Sequence, residues 1–243
     1  MAVILAGGKG TRLKPFTMTI PKPLLPLGDI PVLEVVISQL ASSGFERIVL
    51  SLGHMAPIFA SIVGDGQRWG VNIECCVEKE PLGTAGPLHL VKDLEDTFIV
   101  MNGDLLTTID YRKLIAFHLG SDAWGTIAVK RREIKIDFGV VEMTNAGLLC
   151  DYREKPTISY DVSMGINVLA RRCLELIPRG KKCDMPQLMM AMQHAGKRVA
   201  CYKTDCYWQD IGRFDDYQQA SADFVAAPSE FLPYLKGACE KPR

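Results

Sequence analysis

The stretch Leu5-Ala6-Gly7-Gly8-Lys9-Gly10-Thr11-Arg12-Leu13 follows directly on Ala2-Val3-Ile4. An apolar run that breaks at once into three glycines reads as a buried strand, Ala2 to Leu5, opening straight into a glycine loop. Such a loop lets backbone N–H groups approach phosphate oxygens closely. Arg12 and, further on, Lys22 then offer a planar fork and a point charge for a polyphosphate. Two familiar phosphate loops do not fit. The GxxxxGK[ST] pattern is absent, and a dinucleotide fingerprint needs a third glycine where Leu13 stands. A bare glycine turn after a strand is often only a turn, so the loop alone does not decide function.

Working outward, short apolar runs alternate with helix-like segments. Val32 to Leu40 reads as a helix, with Leu33, Val36, Ile37 and Leu40 on one face, Pro31 suiting its first turn and Gly44 able to end it. Arg47 to Leu52, Val71 to Val77 and Thr97 to Met101 read as further buried strands. Helical stretches are expected around Ala56 to Val63 and Thr84 to Val91. Strands that are nearly continuous apolar runs, with helices between them, predict an α/β fold: a mostly parallel sheet with helices on both faces. From Trp124 the texture changes. Thr126 to Val129, Val140 to Met143, Leu148 to Tyr152 and Val162 to Leu169 are closely spaced strands, with a turn at Asn145-Ala146-Gly147. They predict a smaller mixed β lobe, after which helices return at Pro186 to His194 and Phe214 to Val225. The expected division is residues 1–227 as one domain, split near 123/124, with 228–243 a loosely packed tail.

Composition narrows the function classes. Of 243 residues, 48% are hydrophobic and 23% charged, enough for a sizeable core and too balanced for a disordered chain. Lys plus Arg equals Asp plus Glu, so bulk attraction to nucleic acid or an anionic membrane is not expected. No apolar run reaches spanning length. Met1 to Leu5 lacks the basic region of a signal peptide, and the eight cysteines form no C-x-x-C pair, so scattered thiols in a reducing cytoplasm are expected. His54, His89, His118 and His194 have no ligand spacing and are expected at the surface or at helix ends. Trp208 is expected to pack rather than stack on a ligand.

The whole string from Leu5 to Pro26 resembles the signature of the sugar-1-phosphate nucleotidyltransferases, L-A-G-G-x-G-T-R-L-x-P-x-T followed by P-K-P-L-x-P. Further segments agree in order and spacing almost to Phe224: Glu80-Pro81-Leu82-Gly83-Thr84-Ala85-Gly86, Asn102-Gly103-Asp104, Phe138-Gly139-Val140-Val141, Glu154-Lys155-Pro156, Gly165-Ile166-Asn167 and Trp208-Gln209-Asp210-Ile211-Gly212. Gly165-Ile166-Asn167 matches loosely, since the family more often has Asn-Ala-Gly. The resemblance implies a Rossmann-like sheet, with the mixed lobe serving the sugar. It implies attack by a sugar-phosphate oxygen on the α-phosphorus of a nucleoside triphosphate, with release of pyrophosphate.

The site residues are carried over with it. Arg12, Lys22 and Asp104 would be catalytic. Leu5, Ala6, Gly7, Gly8, Gly10, Thr11, Glu80, Gly83, Thr84, Asn102 and Gly103 would hold the nucleotide. Gly139, Glu154, Lys155 and Asn167 would hold the sugar phosphate, and Asp104 and Asp210 would bind Mg²⁺ or Mn²⁺ as hard oxygen ligands. The Glu80 loop resembles guanylyltransferases of the mannose-1-phosphate type, pointing to GTP with a hexose, heptose or amino-sugar 1-phosphate. Uridylyl, thymidylyl and cytidylyl transfer remain alternatives, as does a non-catalytic nucleotide-sugar-binding subunit; retention of Arg12, Lys22, Asp104, Lys155 and Asp210 together argues against the last. The expected partners are the two substrates, without nucleic acid or membrane, and a homo-oligomer stays open. Bland readings compete residue by residue: Asp104 as a helix N-cap, Asp210 as a turn residue before Gly212, and Glu154 with Lys155 as a solvated pair. Asp137 stands open between a loop residue and a sugar contact.

Overall fold

The computed structural model describes residues 1–8, 10–53 and 55–232. The apolar run Ala2–Leu5 is β1, and α1 (Val32–Ser42) follows the glycine loop. Next come β2 (Arg47–Leu52), α2 (Ala56–Val63), β3 (Asn72–Val77), β4 (Thr97–Asn102), β5 (Leu105–Thr107) and α3 (Tyr111–Gly120). The second half holds β6 (Gly125–Lys135), β7 (Val140–Met143), β8 (Leu149–Arg153), β9 (Thr157–Ala170), α4 (Met185–His194), β10 (Val199–Lys203), β11 (Trp208–Asp210), α5 (Phe214–Ala226) and α6 (Pro228–Phe231).

Seven strands form the central sheet in the order β10-β6-β9-β4-β1-β2-β3. All pairs are parallel except those of β9, which runs antiparallel to both β4 and β6. The sheet buries both faces, which is why β1 is apolar at every position and the middles of β2 and β4 nearly so. On one face Leu33, Val36, Ile37 and Leu40 of α1, Phe59 of α2 and Leu114 of α3 pack over Ile4, Ile48, Leu50 and Met101. On the other, Leu188, Met189 and Met192 of α4 pack over Val3, Val49, Phe98 and Val100. A third cluster joins Leu13 and Leu25 of the loop region to Ile211, Ala220 and Phe224.

The mixed lobe is an outgrowth of this sheet. The half of β6 before Lys130 and the half of β9 after Ser163 lie in the main sheet, and a register shift between Ser163 and Asn167 marks where the pair leaves it. Beyond that point the two strands continue as a ribbon, accompanied by the β7–β8 hairpin.

Several expectations are corrected. The stretch Thr84 to Val91 holds only a 3₁₀ turn, Gly86–Leu90. Ala85 N–H and Gly86 N–H both donate to the Cys183 carbonyl, and that cross-link displaces α-helical bonding. Helix α3 is an addition: Asp110 caps it by accepting from the N–H groups of Arg112 and Lys113. The start of the tail is not loose, since Phe231 and Leu232 are buried in the third cluster and the Phe231 carbonyl accepts from Gln39. Residues 233–243, Cys239 and His54 lie outside the described residues. His118 ends α3 but is buried, with Nδ1 2.8 Å from Thr126 Oγ1. Trp208 packs as expected, its Nε1–H donating to the Met164 carbonyl.

Candidate active site

The site forms where β1, β2 and β4 end together. Leu5 is in register with Ser51 on one side and Asn102 on the other, so all three point to one face of the sheet at its carboxyl edge. That edge is where open parallel sheets place their ligands. Here it opens into a cavity of about 480 Å³. Leu5, Ala6, Gly7, Gly8, Gly10, Thr11, Arg12, Lys22, Gly83, Thr84, Asn102 and Asp104, all anticipated from the sequence, line it.

The loop is pinned from within. Thr17, buried, donates its hydroxyl to the Gly10 carbonyl at 2.7 Å, and Leu13 N–H donates to the same oxygen at 2.9 Å. Leu13 is buried, which turns Arg12 outward beside it. Arg12 has no ion pair among the described residues. Its two terminal nitrogens lie 3.4 and 3.5 Å from the position a Cβ on Gly212 would take.

Two carboxylates 106 residues apart in sequence meet at Lys22. Asp104 sits between β4 and β5, and β11 pairs antiparallel with β5, setting Asp210 opposite Leu105. Ile211 N–H donates to the Asp104 carbonyl at 3.1 Å. The buried Lys22 ammonium is ion-paired with Asp104 and stands 3.8 Å from Asp210 Oδ1. Burial, then the charge of Asp104, push the Asp210 carboxyl above its ordinary pKa, with Lys22 and Arg12 pulling the other way. Asp104 does not cap α3, whose cap is Asp110. Asp210 does form the turn before Gly212, its carbonyl accepting from Gly212 N–H at 2.9 Å, while its carboxylate faces Lys22. Among the described residues no third His, Cys, Asp or Glu joins the pair.

The opposite wall comes from two crossed segments. Asp184 Oδ1 accepts from Thr84 N–H at 3.2 Å, Thr84 Oγ1 accepts from Met185 N–H at 2.6 Å, and Cys183 N–H donates to the Leu82 carbonyl at 2.9 Å. Gly83, at φ +82°, lies where a Cβ would stand 2.5 Å from the Cys183 carbonyl, so only glycine fits. This lacing brings Lys182 and Asp184 into the cavity lining together with Glu78, three residues outside the expected site residues. Glu80 is exposed and does not line it; Glu78, two residues upstream, does. Cys76 pairs with Ser51, so alternation puts Glu78 on the cavity face, a signal available only once register is known. Its Oε2 accepts from Leu82 N–H at 2.9 Å. Gly103 lies beneath the lining and donates its N–H to the Leu5 carbonyl.

The residues expected to meet the sugar fall into two groups. Asn167 on β9 is in register with Val100 and thus shares the sheet face of Asn102. Close by, Gly165 at φ +72° would drive a Cβ to 2.6 Å from the Asn102 amide nitrogen, so the two segments touch through a glycine. Gly139 and Glu154 sit out on the lobe, where Glu154 Oε2 accepts from the Tyr152 hydroxyl at 3.0 Å beside Gly139. Lys155 follows with φ +43°, a conformation rare for a residue bearing a Cβ. None of these four lines the cavity, and Asp137 is exposed.

A mostly parallel sheet whose carboxyl edge carries a glycine loop, an arginine without an ion pair among the described residues and a lysine between two aspartates defines an α/β protein suited to phosphate groups. The chain matches the nucleotidyl transferase family over residues 1–226 and belongs to it. It is 34% identical to mannose-1-phosphate guanylyltransferase of Mycobacterium tuberculosis, the match covering 97% of this chain and 67% of that one. It is 33% identical to UTP–glucose-1-phosphate uridylyltransferase of Synechocystis sp., covering 90% and 62%. The chain thus spans about two thirds of the length of these relatives. Among solved structures, HddC from Yersinia pseudotuberculosis complexed with GMP-PN superposes with a TM-score of 0.68 at 27% identity, covering 92% of this chain and 98% of that one. Its named relatives are sugar-1-phosphate nucleotidyltransferases that differ in base and sugar. No helix among the described residues is long and apolar enough to cross a membrane.

Proposed function

We propose that this chain transfers GMP from GTP onto a hexose, heptose or amino-sugar 1-phosphate, releasing pyrophosphate. The observation that carries the reading is the Lys22 ammonium held between Asp104 and Asp210 at a cavity floored by the glycine loop and flanked by Arg12. Both reactants are anionic, so screening and alignment make up most of the catalytic task, with no covalent nucleophile required. Backbone N–H groups of the loop and the Arg12 fork receive the β- and γ-phosphates, and Lys22 lies where charge is redistributed around the α-phosphorus. Lys155 is assigned to the phosphate of the incoming sugar, with Glu154 and Asn167 on its hydroxyls.

Nucleotidyltransferases of this family are divalent-metal-dependent, and the residues present fit such an ion. Asp104 and Asp210 are two hard carboxylates converging on one cationic position, with no third His, Cys, Asp or Glu ligand among the described residues. When bound, Mg²⁺ or Mn²⁺ supplies charge neutralisation at the phosphate oxygens.

The base reading rests on the crossed-segment wall. Guanine presents adjacent N1–H and N2–H₂ donors beside its O6 acceptor. Uracil and thymine present one N–H flanked by two acceptor oxygens. A carboxylate such as Glu78 accepts both guanine donors but meets repulsion from the flanking oxygens of a uracil. Lys182 on the same wall supplies a donor for O6. The guanylyltransferase relative and the GMP-PN complex of HddC support guanine, while the uridylyltransferase relative keeps uracil as the alternative. The test is a pyrophosphate-release screen of GTP, UTP, TTP, CTP and ATP against a panel of sugar 1-phosphates. Turnover with GTP alone supports the reading. Turnover with UTP or TTP rejects the base, and no turnover with any pair rejects transfer.

A further inference from the structure

Phe16 and Phe214 stack with ring centroids 5.8 Å apart and planes 4° from parallel. Phe16 lies in the 3₁₀ turn Phe16–Met18 within the phosphate loop, and Phe214 is the first residue of α5. Both rings are nearly half exposed, and neither belongs to any of the three core clusters. Two large apolar rings left at the surface contribute little to the core, so what their contact does is local. It fastens the loop to the segment that leaves Asp210. Between the two fastened points lies the seat of Arg12, whose guanidinium rests over Gly212 without an ion pair among the described residues. An arginine held this way has packing over Gly212 and the longer-range attraction of Asp210 to limit its rotamers, and a loop free to drift would carry it away from the phosphates.

We propose that Phe16 and Phe214 form an aromatic clasp that positions Arg12 over the phosphate end of the cavity, making both phenylalanines positioning residues for the transfer step. The clasp connects three segments that the reaction needs together: the glycine loop through Thr17 and Gly10, the Arg12 seat at Gly212, and the Asp104–Asp210 pair through Ile211. Leu13, next to Arg12, is buried with Ile211, Ala220 and Phe224, so the core side of the loop is already anchored to α5. The clasp adds a second anchor on the exposed side at Phe16, where the hydrogen bonds of Thr17 and Leu13 to Gly10 are internal to the loop.

The activity arm of the test rests on the transfer reading; a second arm does not. In the full chain, Phe214→Ala and Phe16→Ala should each lower kcat about 3- to 10-fold, the fold-change equivalent of one aromatic pair. The KM for sugar 1-phosphate should hold, and Phe214→Tyr, which keeps the ring, should restore kcat. The double alanine variant should be no slower than either single one, because both remove the same contact. Independently, amide exchange across residues 10–18 in substrate-free protein should quicken in both alanine variants and recover in Phe214→Tyr. Unchanged exchange, multiplying effects in the double variant, or a tyrosine as poor as alanine would overturn the clasp. A wild-type protein without turnover on any substrate pair would reject the transfer reading and leave the exchange arm to decide the clasp.

Discussion

Ile211 N–H donates to the Asp104 carbonyl at 3.1 Å, and this bond locks the end of β11 onto the start of β5. The Asp104 and Asp210 carboxylates are thereby fixed on either side of one lysine. If they serve a divalent cation, Asp104→Asn and Asp210→Asn should each lower kcat by about 10²-fold or more, the scale of losing one preorganised electrostatic partner. The fold should persist, because the backbone pairing that places them is untouched. Chelation should abolish pyrophosphate release and added Mg²⁺ should restore it. Full activity in excess chelator would reject the metal role.

Lys155 offers a test that separates function from packing. Its φ of +43° is a backbone strain that glycine would relieve. Lys155→Gly should therefore leave the melting temperature unchanged or raised. It should nonetheless raise the KM for sugar 1-phosphate about 10-fold, as expected for loss of one charge-assisted contact, with the triphosphate KM unmoved. Equal rises in both KM values, or a lowered melting temperature, would mean that the ammonium is not on the sugar phosphate.

How far these assignments could be read beforehand depends on distance along the chain. The run Ala2 to Leu5 and the glycines after it are contiguous, so β1 and its loop were legible directly, as was Asp104 at the end of a strand. Asp210 was legible only through the Trp208-Gln209-Asp210-Ile211-Gly212 motif, and its meeting with Asp104 was not. That meeting depends on two three-residue strands too short for periodicity to reveal. Glu78 escaped because choosing it over Glu80 requires the Cys76–Ser51 register. Asp184 and Lys182 escaped because their place is set by hydrogen bonds to residues about 100 positions away. The expected helix at Thr84 to Val91 failed for the same reason: local propensity lost to the bonds that Ala85 N–H and Gly86 N–H donate to the Cys183 carbonyl.

His118 predicts a pH dependence of stability. Burial, reinforced by Arg172, holds its pKa below the ordinary 6.5. Asp96, Asp122, Arg171, Arg172 and Glu175 line the same cavity around it. Below pH 6.5 the unfolded chain therefore binds a proton that the folded chain resists. The stabilisation is complete above that value and is lost as pH falls through the folded pKa. The wild-type melting temperature should fall between pH 7.5 and 5.5, and His118→Asn, which keeps a donor toward Thr126 but cannot titrate, should flatten that fall. Parallel curves for the two proteins would show that other groups govern it.

Arg12 tests the mechanism most directly. A guanidinium holds two phosphate oxygens at once, whereas an ammonium of similar reach is a point charge. If Arg12 stabilises charge building on the leaving pyrophosphate, Arg12→Lys should keep the triphosphate KM and lower kcat by about 10²-fold or more, as when one preorganised donor is lost from a transition-state site. The competing view is that Arg12 merely tethers the loop. Its surroundings weigh against that, for it has no ion pair among the described residues and the loop is held by Thr17 and by the Phe16–Phe214 contact. A tether replaced by lysine would lower the melting temperature and leave kcat alone. Measuring kcat, triphosphate KM and melting temperature on this one variant separates the two, and an unchanged kcat with a lowered melting temperature would end the catalytic assignment.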